Sequence, residues 1–378
     1  MVLLTSDRSR YASALAGLGD ALDVVDVDTT DVGRVVDVLR GYPDLAGLVR
    51  MMEFWSLPAL AVARKLGLPH DSVDAVELVR DKGRLRRHLF ENGFSRAPSI
   101  LIDPHREYGE ELAAALSYPV ILKDVAGIFS ENVWLVRHPD ELPAVLTAAR
   151  TANLRGPVLT AEPYFVGPLY SAETVSWDGG TRVLGVTSRK LSPEPHFREE
   201  MGSFPVYFPP ERYAELTRWI SAILESVGYR EGMTHTEFIV TTTGFEIVEI
   251  NARIGGATIG EAINRALGVN AYSAFVDLAL GRRPSLMDEG REVLQGVGQV
   301  ALYAPSTGVF DRIDGIEALA GHPGSPEYFA VATPGAAIES TIDQRGVLGL
   351  VMATGETAEL AMHNAMSAAG KLTAKMRP

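Results

Sequence analysis

The sequence predicts an α/β protein of the mixed, α+β kind, and three observations carry the prediction. Residues 1–80 alternate short apolar runs with helically spaced segments, the pattern of βαβ units and a parallel sheet. Farther on, strand-like runs come in pairs around Asp178-Gly179-Gly180 and Thr242-Thr243-Gly244, the mark of antiparallel hairpins. The chain has 378 residues, 46% hydrophobic and 22% charged, which suits two or three domains with ample cores and excludes a disordered or collagen-like polymer.

The elements follow in order. Val2-Leu3-Leu4 is a first strand, 11–22 a helix, 22–27 a strand, 31–39 a helix and 46–51 a further strand. A helix over 57–66 is stopped by Gly67 and Pro69. The first turn, Thr5-Ser6-Asp7-Arg8-Ser9, lacks the glycines of a dinucleotide site. Residues 81–92 form a helix ending at Gly93, with Pro98 beyond it. Strands are expected at 100–102, 119–123, 133–136 and 158–162, with helices at 110–116 and 140–150. The stretch 192–210, rich in Pro and charge, is expected to be a long loop. Helices at 213–227, from Gly255-Gly256 to Gly268, and at 271–280 surround the second hairpin, 234–251. Short strands and a closing helix from 357 to about 375 complete the chain.

The charge excludes some classes of function. Lys plus Arg number 35 and Asp plus Glu 48, a net charge of −13. A general nucleic-acid or membrane-surface binder needs a basic footprint instead. Cysteine is absent, which removes disulfides, zinc ribbons, iron–sulfur clusters and thiol nucleophiles. The first residues do not read as a secretory signal. The longest uncharged stretch, 293–310, contains Gln, Gly, Pro, Ser and Thr and does not read as a membrane span. A cytoplasmic protein is the expectation.

The most informative segment runs from His235 to Arg253. A three-residue loop, Thr242-Thr243-Gly244, pairs Thr241 with Phe245 and sets Glu237 opposite Glu249. Glu249 and Asn251 then share a face. Two facing carboxylates repel unless neutralised, and a hard divalent cation held by two carboxylates and an amide oxygen is a natural solution. An accidental acidic pair on a solvated face stays open on spacing alone. Lys123 leaves an apolar strand beside the loop 124–132, where its ammonium would suit a phosphate, although an ordinary strand-end lysine fits the same pattern. The eight histidines show no metal spacing, and His235 and His196 read as structural or surface. Phe54 and Trp55 read as core.

Taken together, these pieces resemble the ATP-grasp superfamily, and within it the carboxylate–amine ligases of the L-amino-acid (dipeptide) ligase type. Asp81-Lys82 at a helix start, the strand Tyr118-Pro119-Val120-Ile121-Leu122-Lys123, the segment Glu162-Pro163-Tyr164-Phe165-Val166-Gly167, and Glu237 with Glu249, Asn251 and Arg253 carry the resemblance in order. It implies an N-terminal βαβ domain over 1–93, a small central lid over 94–165 and a larger antiparallel-sheet catalytic domain over 166–378. It also implies ATP with Mg²⁺ or Mn²⁺. Lys82, Lys123 and Ser130 would then meet the phosphates, and Glu162, Tyr164 and Phe165 the adenine. Glu237, Glu249 and Asn251 would hold the metal, and Arg253, with Lys123, would act in catalysis. Gly256 would add backbone donors at a helix start.

Departures from the family pattern mark the substrate side. Leu169 stands where relatives often carry an acid for ribose, which makes Glu173 the nearest candidate. Ser203 stands where amino-acid ligases often carry histidine, and Glu200, ahead of Glu199, is the first choice for a substrate ammonium. The implied reaction joins a small carboxylate, activated as an acyl phosphate, to an amine, with amino acids as the fitting substrates and no nucleic-acid or membrane partner. A homodimer is compatible with this. The alternatives are an ATP-grasp carboxylase or purine-pathway type ligase, or an ATP-binding regulatory protein without turnover.

Overall fold

The computed structural model describes residues 1–378 except 12–14, 19–21, 109, 129, 291 and 378. Val2–Thr5 (β1) and Asp23–Asp26 (β2) pair in parallel, with Val2 opposite Asp23. The helix expected at 11–22 falls partly outside the described residues. The strand expected at 46–51 is not formed. This run packs on the end of a later helix instead, so closely that a Cβ on Gly47 would lie 2.2 Å from the Ala279 carbonyl oxygen. Helices Val32–Leu39 (α1) and Ser56–Leu66 (α2) follow expectation. An unforeseen helix, Val73–Arg80 (α3), is capped by Ser72 and runs directly into Lys82–Glu91 (α4), capped by Asp81.

The middle of the chain forms a four-stranded antiparallel sheet. It holds Ile100–Ile102 (β3), Val120–Asp124 (β4), Val133–Val136 (β5) and Leu159–Pro163 (β6), in the order β3-β6-β4-β5. Glu110–Ala115 (α5) and Leu142–Thr151 (α6) pack on it, burying Leu112 and Leu146 against Ile102, Leu122 and Leu159.

An eight-stranded antiparallel sheet dominates the rest. Its hairpin-linked strands are Leu169–Trp177 (β7) with Gly180–Leu191 (β8), and Gly232–Thr241 (β10) with Gly244–Asn251 (β11). The stretch expected as a loop contains Glu199–Phe204 (β9), which lies inside the sheet between β8 and Gly296–Tyr303 (β12). Val347–Gly355 (β16) and Glu327–Ala330 (β14) complete the order β11-β10-β7-β8-β9-β12-β16-β14.

Pro210–Ser226 (α7), α3 and α4 cover one face of this sheet, burying Leu216, Ile220, Val76 and Leu89 on Ala172, Val186 and Phe238. Ile259–Leu267 (α8) and Ala271–Ala279 (α9) cover part of the other, on Val175, Met233 and Val297. Gly308–Asp314 (β13), Ala337–Ile338 (β15) and Thr373–Arg377 (β17) form a small three-stranded sheet, its last strand preceded in sequence by Ala358–Ala369 (α10). Among the described residues no helix is long and apolar enough to cross a membrane.

Candidate active site

The β10–β11 hairpin places the two carboxylates by a route different from the expected one. Thr241 pairs with Gly244, not Phe245, so the loop is the two residues Thr242 and Thr243. That offset alone would set Glu237 opposite Val248. A bulge then makes Val248 an extra residue, and Glu237 faces Glu249 after all. His235 faces Asn251 in the same ladder and Glu173 on β7. The face so built carries Glu173, Arg189, His235, Glu237, Glu249 and Asn251, because directly opposed residues share a face and alternation preserves it.

Two lysines approach this face from elsewhere in the chain. Lys82, in the first turn of α4, donates to the Gly127 carbonyl at 2.6 Å and lies 3.3 Å from Glu249. Burial works against the Glu249 charge, but Lys82 and the Asn251 amide, which donates at 2.8 Å, outweigh it, and its pKa falls to about 2. Glu249 is therefore ionised at neutral pH. Lys123, at the end of β4, lies 2.9 Å from Glu162 and donates to the Val248 carbonyl at 3.3 Å. That carbonyl belongs to the bulge residue. Lys123 is 6% exposed, and burial holds its pKa below the usual lysine value although Glu162 opposes this. Arg86 shares the same carboxylate at 2.9 Å, so two cations compete for one anion.

Glu162 is accordingly a buried counter-ion. Burial disfavours its charge, yet Arg86 and Lys123 hold its pKa below the usual carboxylate value. Tyr164 gives its backbone N–H to Pro119 at 3.1 Å and its hydroxyl to Glu194, so neither is free for an adenine. Phe165 lies under the Arg86 guanidinium, 5.5 Å from carbon to ring centre. Ser130 sits in the β4–β5 loop at φ 57.

Three further expectations are corrected. Glu173 is enclosed by Ser171 at 2.8 Å, Thr187 at 3.0 Å and His235 at 2.9 Å, which leaves it unsuited to a ribose. Ser203 lies directly opposite Ser188, and their hydroxyls bond at 2.8 Å on the sheet face away from Glu237, beside Met362 of α10. Glu200 pairs with Lys190 and, at 3.3 Å, with Arg198, whereas Glu199 pairs with Arg189 on the carboxylate face. Of the two glutamates, Glu199 is the one that joins the site.

Two residues of the site went unforeseen. Arg189 binds Glu237 at 2.6 Å and bridges it to Glu199. His235 is fully buried. Burial opposes its protonation, but Glu173 outweighs it and its pKa rises to about 9. Arg253 follows β11 by two residues, donating to the Ile254 carbonyl at 2.8 Å and to Asn251 at 3.4 Å. Gly256 sits close by, just before α8. The arrangement is a set of side-chain oxygen donors ringed by four basic side chains, Lys82, Lys123, Arg189 and Arg253.

Comparison with known families decides what this frame is. Residues 116–261 match the ATP-grasp domain, and residues 300–377 match the L-amino acid ligase C-terminal domain 2. The chain contains an ATP-grasp domain. The second match is to a domain of L-amino acid ligases, and the fold agrees with the first. The crystal structure of an L-amino acid ligase from Bacillus licheniformis superposes with a TM-score of 0.80 at 22% identity, covering 95% of this chain and 89% of that one. An uncharacterized protein of Sinorhizobium fredii is 25% identical over 358 residues, 93% of this chain and 73% of its own length. Carnosine synthase 1 of Gallus gallus is 27% identical over 299 residues, 71% of this chain. The match spans only 31% of that synthase.

Among the described residues no group of three or more His, Cys, Asp or Glu side chains is gathered in a metal-holding cluster. The donor set nonetheless fits a hard divalent cation. Glu237 and Glu249 face each other, Glu249 is ionised, and the Asn251 side chain lies beside them, its Nδ2 donated to Glu249 and its Oδ1 accepting from Arg253, so that a half-turn of the amide would offer the oxygen to a cation.

Proposed function

We propose that this protein is an ADP-forming ATP-grasp ligase that joins a small carboxylate, most fittingly an amino acid, to an amine. One observation carries the reading. Glu237 and Glu249 are opposed across β10–β11, with Lys82 on one side and Arg253 two residues past Asn251. Binding a nucleotide alone would not require this whole set.

Glu237, Glu249 and Asn251 would hold Mg²⁺ or Mn²⁺, which supplies charge neutralisation to a triphosphate when bound. Lys82 and Lys123 offer ammonium donors to phosphate oxygens, Lys82 by giving up Glu249 and Gly127, Lys123 by turning from Val248 while Glu162 keeps it charged. The substrate carboxylate attacks the γ-phosphorus, and the bond to ADP breaks. The amine then attacks the acyl carbon, phosphate leaves with its electron pair, and the amine loses a proton. Arg253 supplies N–H donors to the charge that gathers on oxygen in both steps. The buried Arg189 holds Glu237 in place, and His235 with Glu173 fills the space behind it.

The test is ADP release over a panel of amino-acid pairs, with mass spectrometry of the product. Glu249→Gln keeps the shape and removes one charge, and turnover is expected to fall by at least about 10²-fold. Excess EDTA should abolish it. Full activity in EDTA, or in Glu249→Gln, refutes the proposal.

A further inference from the structure

A carboxylate that no step above uses reaches the end of β11 from the N-terminal part of the chain. Glu53 opens a short helical turn ahead of α2. Arg80, the last residue of α3, donates to the Glu53 carbonyl and lies 3.2 Å from Oε1, which fixes the backbone and one oxygen. The other oxygen, Oε2, is closed off from solvent and accepts no hydrogen bond. It lies 3.8 Å from Nε of Arg253. That is too long for a hydrogen bond and within ion-pair range. On the arginine, Nη1 is given to the Ile254 carbonyl and Nη2 to Asn251. All three guanidinium nitrogens therefore have a fixed neighbour, and Glu53 is the only one of the three neighbours contributed from outside the segment 251–254.

We infer that Glu53 is a positioning residue for Arg253. Its occluded oxygen sets the plane of the guanidinium, and occlusion keeps it from touching substrate itself. A buried carboxylate oxygen without a hydrogen-bond donor is stabilised by a cation set opposite it. The inference rests on the ligase reading for its catalytic consequence, though not for the contact itself.

The full-length chain tests it by a double-mutant cycle. Glu53→Gln is expected to lower kcat about tenfold or more while the KM for ATP stays within about threefold. Glu53→Asp, which keeps the charge, should recover part of the rate. Arg253→Ala should be slower still, and the double variant no slower than Arg253→Ala, because nothing remains to be positioned. Losses that multiply, or an unchanged kcat in Glu53→Gln, overturn the inference. A second readout is the Nε–H resonance of Arg253 in arginine-labelled protein, identified by its disappearance in Arg253→Lys. Glu53→Gln should shift it and speed its exchange with water. An unmoved resonance overturns the inference even if the parent never turns over ATP. A shifted resonance in a parent without turnover supports the positioning and removes only the ligase reading.

Discussion

Lys123 shows how a single side chain can serve a fold and a site together. Its ammonium is sealed between Glu162 and the Val248 carbonyl, so replacing it with alanine leaves Glu162 to Arg86 alone. Lys123→Ala is expected to cost about 2 kcal/mol in urea unfolding, below the full penalty of breaking a buried pair because Arg86 remains. It should also weaken ATP binding in calorimetry. An unchanged unfolding midpoint would mean that the buried pair contributes nothing. Glu249 carries a pH signature at the same scale. Its folded pKa, about 2, lies below the ordinary 4.5 of an unfolded glutamate. The stabilisation it confers is complete above that ordinary value and drains away as pH falls toward 2. Glu249→Gln should flatten the acid limb of a stability profile measured between these limits, and an identical limb in both proteins would contradict the assignment.

Single strands decide which of these side chains meet. The carboxylate pair was legible in the sequence because Glu237 opposite Glu249, with the polar Asn251 two residues on, stands out in a largely apolar hairpin. The route to that pair was not legible. A shorter loop and a bulge cancel, and neither leaves a residue type that reveals it. β9 escaped notice for a related reason. Its charges, Glu199 and Glu200, are met across the sheet by Arg189 and Lys190, so a buried strand reads as a polar loop. Arg189 and His235 were hidden too, since one arginine or histidine in a strand carries no spacing signal until its cross-strand partners are known. The lysine and carboxylate segments were recognisable as a series, whereas the side chains enclosing Glu173 and Glu162 depend on strand pairing between segments far apart in sequence. The face assignment of β9 has a direct test. Ser203→Ala should lose about 1 kcal/mol with the Ser188 hydrogen bond and leave the ranking of amino-acid substrates unchanged. A changed ranking would return Ser203 to the pocket.

The site is assembled from three regions of the molecule: α4 brings Lys82 and Arg86, the four-stranded sheet brings Lys123 and Glu162, and the large sheet brings Glu237, Glu249 and Asn251. A ligand that joins them should stabilise the whole. With Mg²⁺ and a non-hydrolysable ATP analogue near saturation, the melting temperature is expected to rise on the order of 5 °C, and EDTA should remove the gain. No rise would argue that the regions do not share a ligand. The chain Arg86–Glu162–Lys123–Val248 also bears on recombination. Exchanging residues 94–165 for the matching piece of a relative would import a new glutamate and lysine while the parental Arg86 and the bulge carbonyl stay behind. A donor whose own helix lacks that arginine has tuned its carboxylate to one cation and would meet two. Crossover points for chimeras therefore belong ahead of Asp81, so that the helix travels with the sheet it neutralises.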